Sequence, residues 1–232
     1  MYSVDFAYAH DTGFGGFATG AGPELVRILR AHGITDGRII EIGSGSGILA
    51  RRLTDAGYDV TGIDRSPAMI EIARKKAPRA TFRRGSLTRS TIPRCAAAFA
   101  IGEVVSYVSA SLRPFFARVH DALDAQGLFV FDFMESTKGR TYAGRRFSGA
   151  DWEMISRAEA SNGGRTLTRR MTLLRNVDGK YRRSRETHHV TIRSRAEVKT
   201  ALAAAGFSVE MSRSYGRFRL LRGDVAVIAS KR

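Results

Sequence analysis

From residue 38 onward the chain alternates short apolar runs with amphipathic stretches, and a turn signal separates each from the next. RIIEI is an apolar run of strand length entering a glycine-rich turn, and ILARRLTDAG after it carries apolar residues at helical spacing with Gly57 as its stop. YDVTGID predicts a second strand ending in Asp64, and SPAMIEIARKKAP a helix with Ser66 at its N-cap and Pro67 in its first position. That order packs most economically as a parallel sheet with right-handed crossovers. The alternation continues with a third strand at 80–86, a buried fourth at 96–102, a helix at 111–127 and a fifth strand, LFVFDF, at 128–133. Upstream, residues 22–32 predict a lead-in helix with Pro23 in its first turn and Gly33 as its stop.

Near residue 134 the pattern changes. DWEMISRAEAS, RTLTRRMTLLRNV and KYRRSRETHHVTIR predict three β segments separated by the turn signals NGG and NVDG, an antiparallel meander inserted after the parallel strands. Residues 194–205 then predict a helix with a capping box, Ser194 with Glu197, and a stop at Gly206. FSVEMSRSY and DVAVIAS close the chain as two strands hairpinned onto the sheet edge. The expected organisation is a core of residues 1–137 and 194–232, with 138–193 as an inserted antiparallel β cap over a cleft.

With 232 residues the chain suits one large domain, or one domain carrying a substantial insertion. No stretch reaches the roughly 18 to 20 apolar residues of a membrane span, and the first residues lack the basic and apolar regions of a signal peptide, so a soluble, cytoplasmic protein without a membrane partner is expected. Cys95 is the single cysteine, which rules out an internal disulfide framework and a zinc site built on several thiolates; no acid cluster points to any other metal. The net charge of +16 is unevenly spread: residues 1–137 balance at +2 and residues 138–232 at +14. A basic segment of that size suits nucleic acid, an anionic metabolite or solvent alone.

The candidate chemistry centres on Glu41-Ile-Gly43-Ser-Gly45-Ser-Gly47. Glycines at alternate positions let a backbone pass close beneath a ligand, and the helix that follows offers free N–H groups. Gly45-Ser-Gly47-Ile-Leu-Ala50 also satisfies the dinucleotide pattern G-x-G-x-x-A, with Asp64 at the distance of a ribose-binding acid, so the pattern alone leaves a nicotinamide cofactor open. Two features favour another cofactor. Glu41 suits a cationic head group and would be unwelcome beside a pyrophosphate, and the antiparallel C-terminal pair departs from a second mononucleotide-binding half.

Here the sequence resembles the class I S-adenosylmethionine-dependent methyltransferases, whose motif E/D-x-G-x-G-x-G matches residues 41–47 at every fixed position. Asp64 matches the acid that ends their second strand, and GLFVFDF is similar to their fifth-strand signature. The resemblance implies a Rossmann-like α/β fold of seven mostly parallel strands with a C-terminal antiparallel hairpin, S-adenosylmethionine as cofactor and S-adenosylhomocysteine as product. It implies that Gly43, Gly45 and Gly47 line the methionine part, that Glu41 orients its amino group, and that Asp64 holds the ribose hydroxyls. Arg65 and Met69 would then lie against one adenine face. Many members carry an acid after the third strand to read the adenine amine; this chain has Gly85-Ser86 there, which shifts the contact to Ser86 or the backbone at Leu87. Ile101, Gly102, Glu103 and Tyr107, after the fourth strand, would face the methyl group.

Methyl transfer from a sulfonium is an in-line displacement in which positioning carries most of the rate, on the order of 7 to 11 kcal/mol, with a general base adding about a hundredfold or more. Glu103, His188 and His189 are the candidate bases, and strand alternation sends the two histidines to opposite faces. The same alternation groups Tyr181, Arg183, Arg185, Thr187 and His189 on one face. If that face lids the cleft, Arg183 and Arg185 favour an anionic acceptor through forked contacts. His10, in the aromatic and glycine-rich stretch 8–17, is a further candidate for the substrate side. A small-molecule acceptor fits a capped cleft. Two other readings stay open: an RNA or DNA methyltransferase, supported by the basic C-terminal half but lacking a base-stacking N/D-P-P-Y/F tetrapeptide, and a non-catalytic cofactor- or nucleic-acid-binding module.

Overall fold

Residues 2–135, 144–161 and 163–231 are described by a computed structural model. Two helices come first, α1 (Val4–Phe14) and α2 (Gly16–Ala31). The expected alternation follows: β1 (Arg38–Ile42), α3 (Ile48–Asp55), β2 (Asp59–Asp64), α4 (Pro67–Lys76), β3 (Thr81–Arg84), β4 (Cys95–Ala100), a 3₁₀ turn (Val104–Tyr107), α5 (Arg113–Ala122) and β5 (Leu123–Met134). An antiparallel group comes next, β6 (Arg145–Ser148), β7 (Trp152–Ser161), β8 (Thr166–Val177) and β9 (Lys180–Thr191). The chain ends with α6 (Arg195–Ala203), β10 (Phe207–Ser212), β11 (Ser214–Tyr215), β12 (Phe218–Arg219) and β13 (Asp224–Lys231).

The main sheet has seven strands in the order β10-β13-β5-β4-β1-β2-β3. Its five central and edge strands β5, β4, β1, β2 and β3 run parallel, while β13 is antiparallel to both β5 and β10. The pleat divides its side chains between two cores. Ile40, Phe129, Phe131 and Phe133 pack with Phe115, Phe116 and Leu202 on one face; Ile39, Leu128 and Val130 pack with Leu25, Leu49 and Leu53 on the other. Burying both faces is what makes β4 and β5 continuous apolar runs in the sequence.

A second sheet, ordered β6-β7-β8-β9, lies between β5 and α6 in the chain. Three of its strands match the expected meander, and the turn between β8 and β9 has Asp178 and Gly179 at φ 51° and 78°, the left-handed pair a two-residue hairpin needs. β6 was not expected. The boundary expected at 137/138 lies outside the described residues, whereas the one at 193/194 falls between β9 and α6. Trp152, Met154 and Leu173 on the inner face of this sheet pack with Phe6 and Ala9 of α1.

Three local expectations need correction. The lead-in helix begins at Gly16, not at residue 22, so Pro23 sits inside α2. Packing overrides poor propensity here: a Cβ on Gly20 would lie 2.5 Å from the Phe218 ring and one on Gly22 3.1 Å from Arg52, so the small residues that disfavour a helix permit its close approach. The stretch 8–17 is mostly helix α1. β5 starts at Leu123, earlier than expected, because Leu123 pairs with Cys95 before a register shift resumes the ladder at Ala97 and Leu128. The capping box of Ser194 and Glu197 forms as expected.

Candidate functional site

The turn after β1 is stitched to the end of β2, with Gly43 N and Ser44 N donating to Ile63 O at 2.7 and 3.2 Å. Gly43, Gly45 and Gly47 have φ of 74°, 51° and 78°, a region that favours glycine. Their surroundings differ. A Cβ on Gly43 would lie 2.7 Å from the Val104 side chain, and one on Gly47 3.0 Å from Ala73 Cα, but one on Gly45 would meet no atom within 4 Å. Gly43 and Gly47 therefore allow protein to pack on the turn, and Gly45 leaves open space above it.

Two polar atoms beside this turn lack partners. Glu41 is 3% exposed and its Oε2 has no hydrogen bond, as is true of the buried Ser44 Oγ. Burial first, and Asp64 second, hold the Glu41 carboxyl well above the usual carboxylate range, against the Ala50 backbone amide. Asp64 is better supplied: its Oδ2 accepts from Gly45 N at 3.0 Å and its Oδ1 from Ser66 N at 2.8 Å. Its carboxyl is nonetheless raised by burial. Ser66 caps α4 through Met69 N and donates from its hydroxyl to Tyr2 O at 2.8 Å, so the start of the chain is tied beside Asp64.

Across from this turn, the residues after β4 are pinned by an acid from β5. Asp132, 1% exposed, accepts from Gly102 N at 2.7 Å, from Glu103 N and from Tyr215 Oη at 2.8 Å. Burial pushes its carboxyl up to about 6 in spite of those donors. Gly102 (φ 80°) faces open space, and Glu103 adopts a left-handed φ of 64° that costs a non-glycine residue roughly 1–2 kcal/mol. Arg169 of β8 donates to Glu103 Oε2 at 2.7 Å.

A chain of polar side chains links the 3₁₀ turn to β9. Tyr107 Oη lies 3.1 Å from His188 Nδ1, and His188 Nε2 lies 2.9 Å from Glu186 Oε2. Ser3 N donates to Glu186 Oε1 at 2.6 Å. Tyr107 is 38% exposed, yet burial raises its phenol pKa, against the Arg169 guanidinium beside it. The Tyr2 ring stands 5.0 Å from that of His10 and 5.1 Å from that of His188. His10 Nδ1 is buried without a partner, and desolvation pushes His10 down to about 4, which leaves the ring neutral at pH 7.

Residues 39–127 match the family described as Methyltransferase domain. Over 81% of the chain and 76% of the relative, the sequence is 26% identical to the dTDP-3-amino-3,6-dideoxy-alpha-D-glucopyranose N,N-dimethyltransferase of Streptomyces fradiae. The fold matches an S-adenosylmethionine-dependent methyltransferase from Clostridium acetobutylicum with a TM-score of 0.84 at 12% identity, covering 98% of each chain. It also matches an amino pentose methyltransferase from Micromonospora echinaspora, solved with S-adenosylmethionine bound, with a TM-score of 0.78 at 18% identity over 100% of this chain and 98% of that one. The chain carries a methyltransferase domain of the S-adenosylmethionine-dependent kind.

The cofactor of this methyltransferase is S-adenosylmethionine, and the residues present fit it. The space above Gly45 accepts a ligand that a Cβ would displace, and the orphaned Glu41 oxygen calls for a cationic donor such as an amino group. Among the described residues no helix is long and apolar enough to cross a membrane, and no group of His, Cys, Asp and Glu is placed to hold a metal.

The remaining expected site residues divide between solvent, core and loop. Arg183, Arg185 and His189 are exposed on the outer face of β9, with His189 Nδ1 3.1 Å from Thr168 Oγ1. The buried positions of that strand, His188 and Val190, belong to the opposite face, because only apolar and paired side chains can meet the core. Met69 is 1% exposed and is a core residue of α4, while Arg65 is exposed. Ser86 Oγ lies 3.3 Å from Thr88 Oγ1, and Leu87 O accepts from Arg118, so part of that loop's capacity is already used. Ile101 is 8% exposed beside the open Gly102. Sequence reasoning missed Tyr2, Asp132, Arg169, Glu186 and Tyr215. Asp132 alone carried a signal, as the acid inside the apolar run LFVFDF.

Proposed function

We propose that this methyltransferase acts on an amine nitrogen of a small molecule, held between the carboxyl ends of the parallel strands and the inner face of the four-stranded sheet, which serves as a cap. S-adenosylmethionine, when bound, supplies an electrophilic methyl group on a sulfonium. Gly45 and Gly102 leave room for it, Glu41 receives its amino group, and Asp64 takes the ribose hydroxyls. Tyr2, tied to Ser66 and packed on His188, closes the cofactor side of the cleft.

One observation carries the amine reading. The arginines on the inner face are already paired, Arg169 with Glu103 and Arg175 and Arg182 with Asp5, and Arg183 and Arg185 of β9 face solvent. An anionic acceptor would find these arginines engaged, whereas the Tyr107 hydroxyl oxygen, at the end of the chain through His188 and Glu186, offers an acceptor for an N–H group. The Streptomyces relative and the Micromonospora neighbour, named for an N,N-dimethyl transfer and for an amino pentose, support the same class. The test is incubation with methyl-labelled donor and fractionated metabolite pools, followed by mass spectrometry. Label is expected in a basic, amine-containing product. Label found only in RNA, or only in carboxylate esters, overturns the reading.

A further inference from the structure

We infer that Tyr107, His188 and Glu186 form a proton relay that unloads the acceptor amine, with Tyr107 as the catalytic residue and the other two as positioning residues. The inference rests on the amine reading above. A carboxylate accepts only, so Glu186 at 2.9 Å fixes the His188 proton on Nε2 and leaves the Nδ1 lone pair to accept from the Tyr107 hydroxyl at 3.1 Å. Ser3 N holds the other Glu186 oxygen at 2.6 Å, which sets the direction of the whole chain of bonds. The tyrosine oxygen, which also accepts from Arg169, is then the outer end of the chain, on a side chain 38% exposed.

The relay adjoins the cofactor turn. Val104, three residues before Tyr107, covers Gly43, and the same 3₁₀ turn is tied to β5 by Met134 N donating to the buried Ser106 Oγ at 3.0 Å. Tyr2 feels the charge of Asp64 as well as of Tyr107, Glu186 and Arg169, so the ribose acid and the relay share a neighbour. The charged and titratable groups around it are Tyr2 and His10 from the N-terminal segment, Glu103 and Arg169, and Asp64.

An acceptor amine is protonated in neutral solution and has no lone pair to attack with. In the relay the ammonium proton passes to Tyr107 Oη as the tyrosine's own proton passes to His188 Nδ1, and Glu186 balances the imidazolium. The freed lone pair forms the N–C bond while the C–S bond breaks and its electron pair stays on sulfur. The methylated amine leaves as a cation, and the relay returns its proton to water.

Sinefungin, which carries an amine where the sulfonium methyl stands, tests this without a known acceptor. Calorimetric titrations compare sinefungin with S-adenosylhomocysteine on the full chain, with folding checked by circular dichroism. The wild type is expected to prefer sinefungin by about tenfold or more, the effect of a charge-assisted hydrogen bond. Tyr107→Phe, which removes one oxygen, and His188→Asn and Glu186→Gln are expected to abolish that preference, with S-adenosylhomocysteine affinity within about twofold of wild type. His189→Asn, on the outer face, should retain it. A preference that survives Tyr107→Phe and His188→Asn overturns the relay. Wild-type protein that binds neither ligand overturns the cofactor site itself, and the relay with it.

Discussion

Gly43 and Gly45 stand two residues apart in one turn with the same sign of φ, yet alanine at each should fail in a different way. At Gly45 the added methyl meets no protein atom within 4 Å, so the cost is the left-handed backbone alone, about 1–2 kcal/mol. For a chain of this size that lowers Tm by roughly 2–8 °C. At Gly43 the methyl would lie 2.7 and 2.8 Å from the two Val104 methyls, which adds overpacking of about 1–3 kcal/mol. The combined loss, on the order of 2–5 kcal/mol, corresponds to a fall in Tm of about 5–20 °C. Binding should rank the other way. In Gly45→Ala the methyl fills the space assigned to the cofactor, and S-adenosylhomocysteine affinity should fall more than about tenfold in protein that still melts cooperatively. Thermal melts with and without ligand, together with calorimetry, separate the two effects. Gly45→Ala that binds as wild type, or Gly43→Ala that melts no lower than Gly45→Ala, would refute the reasoning.

Asp132 should give the protein a measurable pH dependence. Its folded-state pKa of about 6 lies above the unfolded carboxylate value of 3.8, so the folded state holds the proton more tightly and stability falls as pH rises between the two. Asp132→Asn abolishes that component and presents an amide to three donors, so it should be less stable than wild type, by a margin that narrows by up to roughly 3 kcal/mol between pH 4 and pH 7. Denaturant midpoints at three pH values measure it, and a constant margin contradicts it. Asp5, 8% exposed, accepts from Arg175 at 3.0 Å and Arg182 at 2.8 Å and so fastens α1 to β8 and β9. Asp5→Ala should speed amide exchange in α1 by about tenfold or more while β1 to β5 stay protected, since the lost partner is worth on the order of 1–3 kcal/mol locally. Unchanged exchange in α1 would show that the apolar contacts of Phe6 and Trp152 hold it unaided.

Much of the fold was legible because it follows from local rules. The glycine turn, the capping box and the alternation of apolar runs with amphipathic helices are short-range signals, and each recovered element satisfies one. What sequence left out depends on contacts made at long range. α2 begins early because Gly20 and Gly22 admit Phe218 and Arg52, residues 198 and 30 positions away, and no window around Gly16 contains either. The candidate site divides in the same way. Glu41, Gly45 and Asp64 lie within one βαβ unit, and their spacing carried the reading. Tyr2, Tyr107, Arg169 and Glu186 come together only when the N-terminal segment, the 3₁₀ turn, β8 and β9 meet, so the proposed acceptor side had no pattern to betray it. The alternation of β9 predicted that its two histidines would separate, but not which face would turn inward. Buried Val190 beside His188 settles that, and it moves Arg183, Arg185 and His189 to solvent.

The central claim is that Asp64 grips the ribose of the bound nucleoside. Calorimetric titration of S-adenosylhomocysteine into Asp64→Ala tests it most directly. The carboxylate oxygens now held by Gly45 N and Ser66 N would be lost as acceptors for two hydroxyls, so affinity should fall by more than about tenfold relative to wild type. A dissociation constant equal to that of wild type, in folded protein, would remove Asp64 from the site and contradict the account.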